Sequence, residues 1–249
     1  MLKKILKKLI KNRNEYKNRI YESVVKSKSA IVNVTNYYTT NNYLSKLCEI
    51  YGTDKGFVEL QKDKPYNWEP HPYSVFYHTL FGHCRESIRL VFECGVGTND
   101  INFESNMTSA GKPGASLKMW KDYFKNAEIF GADIDTKVLF QEDRIKTFEV
   151  NQLNEDSIKQ MWKNIDKYNF DLIIDDGLHS HDASLNFFLH SYKKLKKGGL
   201  YIIEDVDYKY INKLENSLKK FNPEISMFDN KLSTAKNLTN NNLIIIRKE

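Results

Sequence analysis

Cysteine is scarce in this 249-residue chain: only Cys48, Cys84 and Cys94 occur, an odd number without CxxC spacing. That scarcity excludes a disulfide framework and a thiolate zinc site, and it fits a reducing cytosol. No apolar run approaches the roughly 20 residues that a transmembrane helix needs. The first residues are basic, but their apolar members alternate with Lys and no small-residue cleavage site follows, so a secretory signal is not expected. No internal repeat is visible. The expected location is therefore cytoplasmic.

Acidic residues are nearly missing from the start of the chain. Residues 1–30 hold ten Lys or Arg against Glu15 and Glu22, which leaves that segment at +8 and the remainder at −2 within an overall +6. A nucleic-acid binder carries its basic face on the folded body. A nearly neutral body argues against nucleic acid and for a small or mildly charged substrate. Leu2, Ile5, Leu6, Leu9 and Ile10 share one helical face opposite Lys. Such a helix packs on its own domain or on a second subunit, which leaves a homo-oligomer open. Alternatively, residues 1–25 make a weak membrane-surface contact, although Trp and Phe anchors are lacking.

The length suits one large domain with a short accessory segment. Residues 1–42 read as a basic helix and linker, the linker being the polar stretch 27–44. Residues 43–89 read as a helical accessory or lid segment. It holds a helix at Tyr43–Tyr51, a glycine-flanked turn at Gly52–Gly56, an irregular stretch around Pro65, Pro70 and Pro72, and a helix at Val75–Phe81. From residue 90 to 249, apolar strands alternate with amphipathic helices. The strands are Leu90–Val96, Glu128–Ile134, Lys146–Val150, Phe170–Asp175, Gly199–Glu204, Glu224–Phe228 and Leu243–Arg247. The helices are Ser116–Phe124, Glu155–Asn164, Ser184–Leu195 and Ile211–Phe221. This alternation predicts an α/β fold: a doubly wound, mostly parallel seven-stranded sheet with helices on both faces. In such sheets ligands bind beyond the C-terminal ends of the strands.

The first strand ends in Glu93-Cys94-Gly95-Val96-Gly97. Two glycines let a ligand approach the backbone, though many such runs are only tight turns. The third glycine of GxGxxG is absent, since Asn99 and Asp100 follow. This counts against a nicotinamide pyrophosphate and is compatible with S-adenosylmethionine, which has none. The second strand ends at Asp133, suited to ribose hydroxyls, but 36 residues after Gly97 rather than about 20. Residues 98–115 read as a loop inserted over the cofactor. Asn151-Gln152-Leu153-Asn154 offers amides for an adenine edge, or a helix N-cap at Asn154. Asp175-Asp176-Gly177-Leu178-His179 and Glu204-Asp205-Val206-Asp207 end two strands expected to be adjacent. Crowded carboxylates need a compensating cation, and oxygen donors favour Mg²⁺, with Mn²⁺ or Fe²⁺ as alternatives. His179 lies where a general base is useful.

At these residues the chain resembles class I methyltransferases of the metal-dependent sugar (macrocin and mycinose type) O-methyltransferase family. The resemblance runs from about Leu44 onward. It is carried by Tyr51-Gly52-Thr53-Asp54-Lys55-Gly56, Glu93-Cys94-Gly95-Val96-Gly97, Gly114-Ala115-Ser116-Leu117 leading to Trp120, Gly131-Ala132-Asp133, Asp175-Asp176-Gly177-Leu178-His179 and Glu204-Asp205. It implies a divalent metal on Asp176, Glu204 and Asp205, with His179 as base. It implies S-adenosylmethionine on Glu93, Gly95 and Asp133, with Gln152 near the adenine. Thr53, Lys55, Ser116 and Asp175, which lie within the matching motifs, join the expected cofactor contacts.

The implied activity is methyl transfer from S-adenosylmethionine to a sugar hydroxyl, with a nucleotide-linked sugar for surface (capsular) polysaccharide as the preferred substrate. Alternatives are a phosphate-type or other small-molecule oxygen, a nicotinamide-dependent oxidoreductase, and a non-catalytic membrane-associated scaffold.

Overall fold

Apolar side chains alternate between two destinations along every central strand, and this alternation builds the fold. The computed structural model describes residues 42–56, 66, 68, 70–221, 224–228 and 242–248, the side chains of 224–228 excepted. The basic helix expected near the start, and nearly all of the linker at 27–44, lie outside these residues.

Eight strands form one sheet: β1 (Leu90–Cys94), β2 (Glu128–Asp133), β3 (Gln141–Glu142), β4 (Ile145–Glu149), β5 (Phe170–Asp175), β6 (Leu195–Ile203), β7 (Glu224–Phe228) and β8 (Leu243–Arg247). Their spatial order is β3-β4-β2-β1-β5-β6-β8-β7. The pairs β1·β2, β1·β5, β2·β4 and β5·β6 are parallel, whereas β8 runs antiparallel to β6 and β7. The seven expected strands are all present. The eighth, β3, is a two-residue antiparallel addition beside β4. Both of its residues are exposed, so it carries no apolar signal.

Successive strand residues point to opposite faces. Val91, Ile129, Leu172, Ile174 and Ile202 therefore meet one layer of helices. That layer comprises α1 (Tyr43–Tyr51), α2 (Tyr73–Phe81) and α3 (Ala115–Tyr123). Phe92, Phe130, Ile173, Tyr201 and Ile203 face the other layer. It comprises α4 (Glu155–Ile165), α5 (His181–Ser191) and α6 (Ile211–Lys219). Burial on both faces explains the unbroken apolar runs of β5 and β8. Each fully buried Phe, Ile or Leu contributes about 1.5–3 kcal/mol. The described part of the expected accessory segment shares one apolar cluster with the sheet, through Leu44, Leu47, Tyr73 and Tyr77.

Local chemistry sets the element ends. Asn42 caps α1, its side-chain oxygen accepting from Ser45 N at 2.9 Å, and Gly52 ends α1 at φ 74°. Asn154 caps α4 by accepting from the amides of Asp156 and Ser157. Ser180 caps α5. Several boundaries differ from expectation, most by one or two residues. α2 begins at Tyr73 rather than Val75, because Pro72 occupies the cap and needs no amide partner. α5 begins at His181 and gives way at Tyr192 to a 3₁₀ turn, with Ser180 rather than Ser184 starting it. β6 begins at Leu195, which already pairs with Phe170 ahead of the Gly198-Gly199 interruption.

The chain leaves β1 toward β2 on one side and β5 follows on the other. The C-terminal ends of β1 and β5 therefore open a crevice at the point where the strand order reverses.

Candidate active site

The crevice is a cavity of ≈ 590 Å³, within the size range of small-molecule sites. One wall is the Gly95–Thr98 turn. A second is the 102–108 stretch with Gly111 and Lys112, so the expected inserted loop does line the cavity. The turn Gly52–Lys55, with Tyr66, Trp68 and His71, forms a third side. Asp176–His179 and Glu204-Asp205 lie at the strand ends.

Gly95 adopts φ +100°, and a Cβ there would lie 2.0 Å from the carbonyl oxygen of Asp176. Only glycine satisfies both constraints. Asp133 then fixes the loop. Its Oδ2 accepts from the amides of Val96 and Gly97, each at 2.9 Å, and its Oδ1 from Asp135 N at 3.0 Å. A carboxylate offers about four lone-pair sites, so these bonds orient Asp133 and leave capacity for a ribose hydroxyl. Gln152 lines the cavity with its amide largely committed. Nε2 donates to Asp175 Oδ1 at 2.5 Å, and Oε1 accepts from Leu178 N at 2.7 Å. Thr53 and Ser116 also line it.

Glu93 and Asp175 sit behind the wall, fully buried, rather than on it. Asp175 orients Gln152. Glu93 accepts from Trp120 Nε1 at 3.0 Å and pairs with Lys55 at 3.2 Å. The Lys55 ammonium reaches further, donating to Asp176 Oδ2 at 2.5 Å and to Glu204. It thus points into the acidic cluster.

Among the described residues, Asp176, His179 and Asp205 bring one donor atom each to within 4.8 Å of one another. Glu204 stands beside them, held by Lys55 and by Tyr77 OH at 2.5 Å. Asp205 accepts from Tyr73 OH at 2.7 Å and lies 3.3 Å from His71 Nδ1. His179 Nε2 lies 4.0 Å from Asp176 Oδ1, and Tyr210 OH donates to the His179 carbonyl at 2.7 Å. His179 and Asp205 are both non-glycine residues at positive φ, 53° and 54°. Such strained backbone persists where surrounding contacts over-determine it and clusters at functional sites. His71, Tyr73 and Tyr77 were not singled out from sequence. The available signal was the i, i+4 spacing of Tyr73 and Tyr77 on α2, opposite the consecutive acids Glu204-Asp205.

Three carboxylates, those of Glu93, Asp176 and Glu204, thus face the single Lys55 ammonium. Burial pushes the Glu204 carboxyl well up despite Lys55. Burial pushes Glu93 up to about 7, with Lys55 opposing. Burial alone would lower Lys55, but Asp176, Glu204 and Glu93 together hold it well above its ordinary value. An oxygen-rich donor set with surplus negative charge fits a hard divalent cation. A carboxyl raised on folding stabilises the fold below its unfolded pKa, and that contribution is lost as pH rises through the folded one. The metal-free protein should therefore lose stability between about pH 4.5 and 7 through Glu93. Thermal melts across this window should show a shallower pH slope for Glu93→Gln; an unchanged slope would remove Glu93 as the cause.

No protein-family model matches the chain. It is 33% identical over 143 residues to the 8-demethyl-8-alpha-L-rhamnosyl tetracenomycin-C 2'-O-methyltransferase of Streptomyces olivaceus, covering 57% of this chain and 35% of that one. It is 34% identical over 93 residues to the mycinamicin VI 2''-O-methyltransferase of Micromonospora griseorubida, covering 37% and 23%. Among solved structures, the MycE methyltransferase from the mycinamycin biosynthetic pathway, in complex with Mg, SAH and mycinamycin VI, matches at 30% identity with TM-score 0.51. That match covers 65% of this chain and 38% of that one. A MycE structure with Mg and SAH matches at 24% identity with TM-score 0.57, covering 82% and 54%. The shared architecture is the class I methyltransferase fold. The chain spans 35% and 42% of the length of the first two curated relatives it matches.

Proposed function

We propose that the chain transfers a methyl group from S-adenosylmethionine to a sugar hydroxyl, with a divalent metal at the strand ends. The observation that carries this reading is the donor set of Asp176, His179 and Asp205 inside the cavity bounded by the Gly95 turn and Asp133. The names of the relatives agree, being O-methyltransferases that act on rhamnosyl tetracenomycin or mycinamicin compounds.

The cofactor would supply an electrophilic methyl group on a sulfonium. The metal, Mg²⁺ by the donor chemistry, would supply positive charge that lowers the pKa of a neighbouring alcohol. Asp176 and Asp205 would hold it, with Glu204 as the third carboxylate once its present partners release it. Gly95 and Asp133 would hold the cofactor's amino-acid and ribose parts against the turn. His179 Nε2 would take the hydroxyl proton as the S–CH3 bond gives way to the new C–O bond and S-adenosylhomocysteine departs as a neutral thioether, and Asp176 Oδ1, 4.0 Å away, would stabilise the resulting imidazolium. Positioning of the two reactants in one cavity would supply much of the remaining acceleration.

The sequence alone favoured a nucleotide-linked sugar for polysaccharide. The relatives' names describe rhamnosyl tetracenomycin, mycinamicin and olivosyl-oleandolide compounds instead, so the acceptor is proposed as a glycosidic or free sugar hydroxyl with a neighbouring oxygen. No helix among the described residues is long and apolar enough to cross a membrane.

The test is methyl transfer from labelled S-adenosylmethionine to a panel of glycosides and nucleotide sugars, with and without EDTA. Chelation is expected to abolish turnover, and Mg²⁺ or Mn²⁺ to restore it. Full turnover in excess chelator would refute the metal-dependent reaction.

A further inference from the structure

The Lys55 ammonium is almost fully buried, and burying an ammonium is costly unless it is paired and hydrogen-bonded. Here it has three carboxylate partners: Asp176 Oδ2 at 2.5 Å, Glu93 Oε1 at 3.2 Å and Glu204. Two of these are acids that the metal reading also needs. Asp176 is divided between the two demands: its Oδ2 meets Lys55, while its Oδ1 faces His179. Glu204 is spoken for on both oxygens, Oε2 by Lys55 and Oε1 by Tyr77. This explains why Glu204 stands outside the donor set of Asp176, His179 and Asp205.

The backbone around Lys55 is fixed. Gly52 N and Thr53 N donate to Cys48 O, and Ser74 N donates to Lys55 O at 2.8 Å. The side chain beyond it is a flexible four-carbon stem ending in a point charge. An ammonium and a divalent ion only a few ångströms apart repel, and both seek the same oxygens.

We propose that Lys55 is a displaceable internal cation that competes with the metal for Asp176 and Glu204. With the ammonium in place, the carboxylates stay together without a metal. Its withdrawal, a side-chain swing on a fixed turn, releases Glu204 to join Asp176 and Asp205. Lys55 is then a positioning residue acting through those two acids, not a contact of the cofactor. This inference rests on the metal reading above.

Mn²⁺ binding by the full chain, read from loss of the aqueous Mn²⁺ paramagnetic resonance signal, separates the two ideas. Lys55→Met is expected to bind Mn²⁺ about tenfold more tightly or better, because a competing positive charge has gone. Lys55→Arg keeps the charge and should restore weaker binding. A purely structural tie predicts the reverse, since damage to the cluster weakens binding. Lys55→Met leaves three carboxylates uncompensated, Glu93 and Glu204 fully buried and Asp176 partly so, so Lys55→Met/Glu93→Gln removes one charge and is compared with Glu93→Gln alone. In EDTA, Lys55→Met should melt below the wild type, and Mn²⁺ should raise its Tm more than it raises that of the wild type. Equal or weaker Mn²⁺ binding in both Lys55→Met backgrounds would overturn the competition while leaving the metal reading intact. Absence of Mn²⁺ binding from the wild type and every variant would overturn both.

Discussion

Asp176→Ala and His179→Ala are both expected to lose methyl transfer by about 10²–10⁴-fold or more, and to lose it for different reasons. Asp176 has no substitute among its neighbours. Glu204 is held by Lys55 and Tyr77, and Asp205 by Tyr73 and His71. Removing Asp176 takes one carboxylate from the donor set and one partner from Lys55, so Mn²⁺ binding should fall together with turnover. Removing His179 leaves every carboxylate in place. Turnover should then fall while Mn²⁺ and S-adenosylmethionine binding stay within a few-fold of the wild type. Asp133, Gly95 and the 102–108 wall do not touch the imidazole in any described hydrogen bond. Calorimetric titration of cofactor and metal, beside single-turnover methyl transfer, resolves the two patterns. Substantial turnover in both variants would sink the proposed chemistry. A joint loss of turnover and metal binding in His179→Ala would instead make the imidazole a ligand rather than a base.

What sequence could disclose followed from which residues are buried on both sides. β5 and β8 read as strands because Leu172-Ile173-Ile174 and Ile244-Ile245-Ile246 serve two helical layers or adjoin strands that do. Acids directly after such runs stand out, so Asp176, Glu204 and Asp205 were visible as a group. Long-range pairing was not. Lys55 meets Glu93, Asp176 and Glu204 across separations of up to 149 residues, and nothing local to Gly52–Gly56 says that its lysine points toward acids rather than toward a cofactor. Gln152 and Asp175 were each expected near the cofactor. Their mutual hydrogen bond commits most of the Gln152 amide and places Asp175 behind the wall. Nothing in the sequence reading marked Tyr73 or Tyr77. Their rings are buried, and only their hydroxyls reach the acids.

Gly95→Ala should be the most damaging single methyl group that can be added to the site. The residue sits at φ +100°, where a Cβ costs about 1–2 kcal/mol in the left-handed region before any contact is considered. The added carbon would also stand 2.0 Å from a backbone oxygen, that of Asp176. Backbone cannot rotate away as a side chain can. Either the turn retreats from the cavity or the end of β5 moves, and the second choice drags Asp176 with it. One substitution therefore disturbs the cofactor wall and the acidic cluster together, because Asp176 N is bonded to Cys94 O at 2.9 Å, directly before the turn. Gly97→Ala is the control. Its φ is also positive, at +89°, but a Cβ there meets the far end of the Met107 side chain, with Cε at 2.4 Å and Sδ at 2.7 Å, and a flexible methionine can yield. S-adenosylmethionine affinity and Mn²⁺ affinity should each fall at least about tenfold, equivalent to 1.4 kcal/mol, in Gly95→Ala. In Gly97→Ala the cofactor should weaken less and Mn²⁺ binding should hardly change. Equal losses in the two variants would mean that backbone conformation alone sets the penalty and that the turn and the β5 end are not mechanically joined through Gly95.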